Sequence, residues 1–429
     1  MAEQASSQVT DNARSHSTLT IGAYALGSLG VGVFSTVPTV LLLYYCTETL
    51  LIPAALAGAL VFLPKTWAIV WDPLVGAWSD RARSPWGRRI PFLFVGAIGV
   101  AAGFVMLFSA PAWGTAAIVW WVGLAYFFLA TIFSIYAVPY IALPAEMAHA
   151  DSERSSLVSW RMVMAMAGVF IGAAAAPSLV SAFGGGRNGY AGMALVVGAA
   201  CFLAMLAPLF VAPRRNAQPE RAAKAPPLWR ATRNALGTPG FAALAGSYLL
   251  QITAVGVLTA SMPYLVSKVL MRPESDIGVA LAALIGGSVA TPPLWSWLGN
   301  RFGEKASLFA AIAFFAVSAA ATAAAIMAQL PWTALLCVFA TAGVAFAGLS
   351  VLPFSMLAHL AHRERAHTGA ALEATFTGLW TASEKLGLAL GPALVASALA
   401  LGGDAAIGPL VAVGPASLLT LAAVFLARS

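Results

Sequence analysis

Apolar runs of about 20 residues or more alternate with short polar breaks along nearly the whole chain, and a run of that length is what a helix needs to cross a bilayer. The runs lie near 19–47, 53–79, 90–110, 115–143, 156–183 and 190–212. A polar, basic, Pro-rich interval follows at 213–240, after which they resume near 241–269, 277–299, 305–328, 332–360, 367–400 and 405–427. The pattern predicts an all-α membrane protein of about twelve transmembrane helices. It divides into a tail at 1–18, a six-helix bundle at 19–212, a central loop at 213–240 and a second six-helix bundle at 241–429.

Composition removes the soluble alternatives. Of 429 residues, 60% are hydrophobic and 9% charged, against roughly a quarter charged in soluble proteins. The net charge of +7 is not a nucleic-acid footprint, because the cations sit in short breaks between apolar runs, where they report topology. With both termini inside, Arg14, Arg81, Arg83, Arg88, Arg89, Arg154, the central-loop cations, Arg301, Lys305, Arg363, Arg365 and Arg428 are cytoplasmic. Only Arg187, Lys268 and Arg272 fall outside, while Lys65, Arg161 and Lys385 lie within runs. The first seventeen residues lack the basic start and apolar core of a signal peptide and read as a cytoplasmic tail. Cys46, Cys201 and Cys337 have no metal-ligand spacing and read as small core hydrophobes.

The two halves align as diverged copies. Pro73-Leu-Val-Gly-Ala-Trp-Ser-Asp80-Arg81 falls on Pro293-Leu-Trp-Ser-Trp-Leu-Gly-Asn300-Arg301, and Val138-Pro139-Tyr140 on Leu352-Pro353-Phe354. Repeated six-helix bundles build many secondary carriers, with the solute site near the membrane midplane between the halves.

Candidate chemistry concentrates where charge enters hydrocarbon, at roughly 2.5 to 3.5 kcal/mol per charge near mid-helix. Lys65, Ala68 and Asp72 share one face of the second run, with Lys65 about two turns, roughly 10 Å, from Asp72. Asp72 is either neutralised by a coupling cation or paired permanently with a structural one. Lys385 is its counterpart in the second half, beside Glu384, which points about 100° away. Glu373, Thr377 and Thr381 make a polar stripe that lines a cavity or a helix contact. Arg161, about two turns into the fifth run, presents planar donors to a carboxylate, phosphate or sugar, or pairs structurally. Among the aromatic residues of the fourth run, Tyr136 and Tyr140 are the ones deep enough for a cavity, and Gln251 is a polar candidate in the seventh. Asp80, Arg81, Arg88, Arg89 and Arg301 form either a cytoplasmic latch between the halves or a topology signal only. His149, His359, His362 and His367 lie at the cytoplasmic edge and form no enzyme-like setting, and no Walker-type phosphate loop is present. No cofactor or metal is expected beyond a coupling ion, and an enzyme is not.

Asp80-Arg81 with Gly87-Arg88-Arg89 resembles the helix 2 to 3 signature of the major facilitator superfamily. Trp71-Asp72-Pro73-Leu74-Val75-Gly76, the Tyr24 to Gly30 start, Pro139-Tyr140, Leu352 to Ala358 and Glu384-Lys385-Leu386-Gly387 together resemble the glycoside-pentoside-hexuronide cation symporters, the melibiose carrier group. The resemblance implies the major facilitator fold and a cation-coupled carrier of a small organic solute, sugar-like in class, working by alternating access. It implies a bacterial inner membrane, a lipid bilayer, solute and coupling cation as partners, and a monomer. Asp72 matches the group's cation-binding aspartate, but Ala68 stands where a second acid normally sits, which favours a proton over sodium. Lys65, Arg161 and Lys385 match basic positions near the group's cation and sugar sites. Gly32 and Ala137 stand where its sugar carriers place aspartates, so an anionic or amphipathic solute, an organic acid or lysolipid, is the alternative. A sensor that keeps the carrier fold without translocating is the competing class.

Overall fold

Lipid offers the backbone no hydrogen-bond partner, so every apolar run must close its bonds within itself as helix. The computed structural model describes residues 18–148, 150–214, 233, 235–238, 240–368 and 373–427, with the side chains of 151, 365–368, 373 and 374 excepted. The first bundle consists of α1 (Thr18–Tyr44), α2 (Ala54–Arg81), α3 (Ile90–Phe108), α4 (Thr115–Ala142), α5 (Asp151–Ala182) and α6 (Gly186–Leu206). The second consists of α7 (Phe241–Tyr264), α8 in two halves (Ser275–Ala290 and Pro292–Phe302), α9 (Glu304–Met327), α10 (Trp332–Thr368), α11 (Glu373–Gly402) and α12 (Ile407–Ala427). The halves of α8 bend by 43°, because Pro292 and Pro293 bring no N–H to the helix ladder. The continuous 277–299 span expected from apolarity alone is therefore broken.

Within the first bundle α1 packs on α5 and α6, α3 on α4 and α6, and α2 on α4; in the second, α7 packs on α11 and α12, α9 on α10 and α12, and α8 on α10. The bundles meet chiefly where α2 packs on α11, α5 on α8 and α1 on α7, with a smaller contact of α1 on α11. Arg81, Arg88, Arg89 and Arg301 mark one end of the helices, here called the arginine-bearing end. Residues 215–232, the core of the expected central loop, lie outside the described residues.

The internal repeat extends to backbone detail. Both α1 and α7 finish in a five-residue π turn, Tyr45–Thr49 and Leu265–Val269. Each turn is closed by one equivalent bond, Leu50 N–H to Tyr45 O at 3.0 Å and Leu270 N–H to Leu265 O at 2.9 Å. The next residue is held at positive φ in both copies, Leu51 at 56° and Met271 at 51°. These positions superpose by the same offset that brings Asp80 onto Asn300.

Close helix crossings rest on paired glycines. A Cβ on Gly168 of α5 would lie 3.1 Å from Gly32 Cα of α1, and one on Gly256 of α7 would lie 3.2 Å from Gly391 Cα of α11. A side chain at position 32 would strike the Ala165 carbonyl, so the place where sugar carriers of the resembled group keep an aspartate is filled here by the backbone of α5. Gly168→Val should force α1 and α5 apart at a cost of about 1–3 kcal/mol, read as a lowered melting temperature of the purified protein, while Gly22→Ala, which meets nothing within 4 Å, should leave it unchanged.

Candidate functional site

Lys65, Asp72 and Lys385 come together between the bundles. The Lys385 ammonium of α11 forms an ion pair with Asp72 Oδ2 of α2, and the two side chains keep 30% and 25% of their exposure. The other carboxylate oxygen, Asp72 Oδ1, is buried and has no partner among the described residues. Lys65, two turns away on the same helix, does not reach Asp72. Its Nζ donates to Thr39 Oγ1 of α1 and to the Leu388 carbonyl of α11, each at 3.1 Å. Thus α1, α2 and α11 are stitched by two ammonium groups.

Both lysines border a cavity of about 150 Å³. Ala68 lies in its wall, as the shared helical face requires, and the rest is largely apolar: Phe34 and Pro38 of α1, Tyr126 and Phe133 of α4, Leu388 of α11. Trp67 and Trp71 fix α2 against α4, donating to Thr131 Oγ1 and Thr131 O at 3.1 Å each. The tyrosine of α4 that borders the cavity is Tyr126, whose hydroxyl makes no hydrogen bond among the described residues. Its lack of any intrahelical or interhelical partner is invisible in the sequence.

Several expected site residues lie elsewhere. Tyr136 and Tyr140 are buried inside the first bundle, because their hydroxyls are spent on neighbouring helices. Tyr136 donates to Met205 O of α6 at 3.0 Å, and Tyr140 donates to Tyr24 O at 2.7 Å and bonds Ser28 Oγ at 2.8 Å. Gln251 is fully buried inside the second bundle, donating to Ser247 Oγ at 2.8 Å, and Ser247 in turn reaches Ala422 O of α12. Glu384 faces Tyr248 of α7, whose ring stacks on Trp380 at 4.0 Å. Glu373 opens α11, but its side chain lies outside the described residues. Arg161 is half-buried in α5, near Tyr24 and Tyr140, with Nη2 3.8 Å from Met162 Sδ, and its buried Nε has no partner among the described residues.

The arginine cluster closes within the first bundle. Arg88 and Arg89 are buried, and both guanidinium groups converge on Glu146 Oε1, Arg89 Nε at 2.5 Å. Arg89 Nη2 also reaches Asp80 Oδ1 at 3.0 Å. Asp80, Arg88, Arg89 and Glu146 all belong to α2, to the loop before α3 and to the turn after α4. The latch expected between the bundles is therefore an intra-bundle clamp in this structure, since the two buried cations draw in acids of their own bundle, Asp80 from α2 and Glu146 from the turn after α4. Arg81 is exposed, and Arg301 lies over the rings of Trp297 and Phe302 of its own helix at 5.4 and 5.6 Å.

Besides the α2–α11 contact, ties cross between the bundles at the end opposite the arginines, on and beside the twin π turns. Lys268 Nζ pairs with Glu48 Oε2 at 2.5 Å. Tyr44 donates to Ser267 Oγ at 3.0 Å and to Glu274 Oε1 at 3.3 Å, while Tyr264 bonds Thr47 Oγ1 at 2.7 Å. Tyr44 matches Tyr264, Thr47 matches Ser267 and Glu48 matches Lys268 in the repeat, so the closure is two-fold pseudo-symmetric. The signal was present as Tyr44-Tyr-Cys-Thr-Glu48 against Tyr264-Leu-Val-Ser-Lys268, but only the alignment carried to the helix ends brings it out. Each partly exposed pair contributes only from about nothing to 1 kcal/mol.

Comparison with known proteins agrees with this architecture. A family model described as MFS/sugar transport protein matches residues 23–427. The chain is 25% identical over 283 residues to the inner membrane symporter YicJ of Escherichia coli K12, covering 64% of this chain and 60% of that protein, so the matched stretch spans less than two thirds of that relative's length. It is 24% identical over 413 residues to the sphingosine-1-phosphate transporter MFSD2B of Xenopus tropicalis, covering 87% of this chain and 78% of that protein. Among solved structures, a bacterial homologue of the human lysosomal transporter Spinster, in an inward-facing and occupied conformation, has the same fold, with a TM-score of 0.68 at 16% identity over 95% of this chain and 94% of that chain.

The ion pair between α2 and α11 has a measurable signature. Lys385→Met alone leaves Asp72 unpaired in the membrane and should cost about 1–3 kcal/mol, less than the 3–5 of a fully buried pair because both side chains keep some exposure. Adding Asp72→Asn should recover most of the loss in thermal melting, whereas additive losses would mean that the two groups do not interact.

Proposed function

The chain belongs to the MFS/sugar transport protein family, and we propose that it is a secondary transporter moving an anionic, partly apolar organic solute together with a proton. One observation carries this reading: the ion pair joining the bundles, Asp72 with Lys385, stands beside an apolar cavity that a second lysine also borders. In the proposed cycle a proton reaches Asp72 Oδ1, the oxygen left without a partner, and neutralises the carboxylate. Lys385 then loses its counter-charge and is free to hold the carboxylate or phosphate of a solute, with Lys65 at the same cavity and Arg161 further along α5 as additional cations. The solute's apolar part lies against Phe34, Phe133 and Leu388.

The donor set argues for a proton rather than sodium. A sodium ion requires several oxygens, and Ala68 leaves Asp72 as a single carboxylate whose one bonded oxygen is already engaged. A hydroxyl-rich sugar is the less favoured solute, because a wall with few polar groups leaves its hydroxyls unpaired at about 1–3 kcal/mol each. A relative named for sphingosine-1-phosphate, an amphipath with an anionic head, supports the same class. With the reading goes an orientation that puts the arginine-bearing end and both termini in the cytoplasm of a bacterium, supported by the positive-inside bias. A monomer suffices, since the site lies between two bundles of one chain, divided at 19–212 and 241–429. The twin-turn closure serves as the outer gate.

In proteoliposomes containing this protein alone, uptake of an anionic lysophospholipid or a medium-chain carboxylate should follow an imposed proton gradient and be lost in Asp72→Asn. Uptake that tracks sodium and ignores pH would overturn the coupling ion, uptake of glycosides in place of the anions would overturn the solute class, and no flux of any of these would favour the sensor. Lys385→Ala should weaken solute binding at least ten-fold, read by calorimetry. For the gate, Tyr44→Phe with Tyr264→Phe removes the hydroxyl ties and keeps the rings. Spin labels at the exposed positions Leu51 and Met271 should then gain a longer-distance population, and an unaltered distribution counts against the gate.

A further inference from the structure

Away from the α2–α11 site, the arginine-bearing end of the first bundle holds a second cavity, of about 610 Å³, in the cleft between α3 and the end of α6. Phe94 of α3, Leu206 and Phe210 at the end of α6, and Trp86 of the α2–α3 loop form its apolar walls, and Arg214 is the charged residue among those lining it. The cleft belongs to the first bundle alone, where α3 packs on α4 and α6, and α6 on α1, α3 and α5. Trp86 and Phe210 keep 64% and 83% of their exposure.

The cleft is preformed. Gly87 sits at φ +105°, and a Cβ there would lie 2.6 Å from Pro213 O and 3.1 Å from Arg214 Cα. The loop thus abuts the segment that bears Arg214, and only glycine satisfies both the angle and the space. Behind it, Glu146 holds the neighbouring Arg88 and Arg89. Those two charges are neutralised, whereas Arg81, Arg83 and Arg214 are exposed and form no ion pair among the described residues. The apolar walls therefore end in positive charge that no acid among the described residues pairs, beside an exposed indole of the kind that aromatic belts use.

We propose that this cleft binds an anionic phospholipid of the surrounding bilayer, its acyl chains against Phe94, Leu206 and Phe210 and its phosphate on Arg214. A guanidinium fork suits phosphate oxygens, and basic pockets between helices at the cytoplasmic face bind anionic headgroups. A soluble phosphate would leave the apolar walls, and the exposed rings of Trp86 and Phe210, unused.

Native mass spectrometry of the protein released from mixed phosphatidylglycerol and phosphatidylcholine tests the assignment. Wild type should retain phosphatidylglycerol preferentially. Arg214→Ala should lower that retention about five-fold, the equivalent of one cation at a membrane surface, and leave phosphatidylcholine untouched. Arg214→Lys should keep most of the preference, and Phe210→Ser should lower retention of both lipids. Equal phosphatidylglycerol retention by wild type and Arg214→Ala, or its displacement by millimolar inorganic phosphate, would overturn the proposal. The result is independent of which solute is carried.

Discussion

A charge inside hydrocarbon has to be met, and the way this chain meets its own organises the region between the bundles. Asp72 on α2 finds Lys385 on α11, and Lys65 takes a hydroxyl from α1 and a carbonyl from α11. Three helices from two bundles are thereby committed to one another by groups that cost several kcal/mol if left alone. The commitment is reversible in a way that packed methyl groups are not. Neutralising a carboxylate changes the energy of every charge that faces it, so the α2–α11 contact is where a change of charge bears most directly on how the bundles are held together.

The two ends of the molecule are built differently. At the arginine-bearing end, Arg88 and Arg89 are buried and paired inside one bundle with Glu146 and the more exposed Asp80, which ties these four groups into one rigid body. At the opposite end, hydroxyls and one partly exposed ion pair cross between bundles. A closure made of several weak bonds can be exchanged for solvation at small net cost, whereas a clamp of buried guanidinium groups cannot. At the two ends, then, the strong interactions lie within a bundle and the weak ones between bundles, and the charged contact between α2 and α11 is the strong tie that crosses.

Much of this was legible in the chain. Span length and cation placement point to the helices and their ends, and the spacing of Lys65, Ala68 and Asp72 puts them on one face, where the structure finds Lys65 and Ala68 in the cavity wall and Asp72 paired with Lys385, which also borders it. What was not legible depended on pairing across distance. Tyr136 and Tyr140 look like cavity residues because depth along a helix can be read from sequence while rotation about its axis, in a run apolar on every side, cannot. The structure turns them inward to Met205 and Tyr24, and Tyr126 takes the cavity instead. The arginine motif suggested a tie between halves, and the partner that redirects it, Glu146, lies on a turn after α4 that no local pattern connects to it.

The pseudo-symmetric closure has a consequence for how the chain diverged. Glu48 and Lys268 occupy equivalent positions of the two repeats and meet across their shared axis. Had the halves stayed identical, that axis would bring two glutamates or two lysines face to face, and the turns would repel. A tandem duplication can therefore acquire this bond only by changing the sign of one copy. It is an interaction open to a fused pair and denied to a dimer of identical six-helix units.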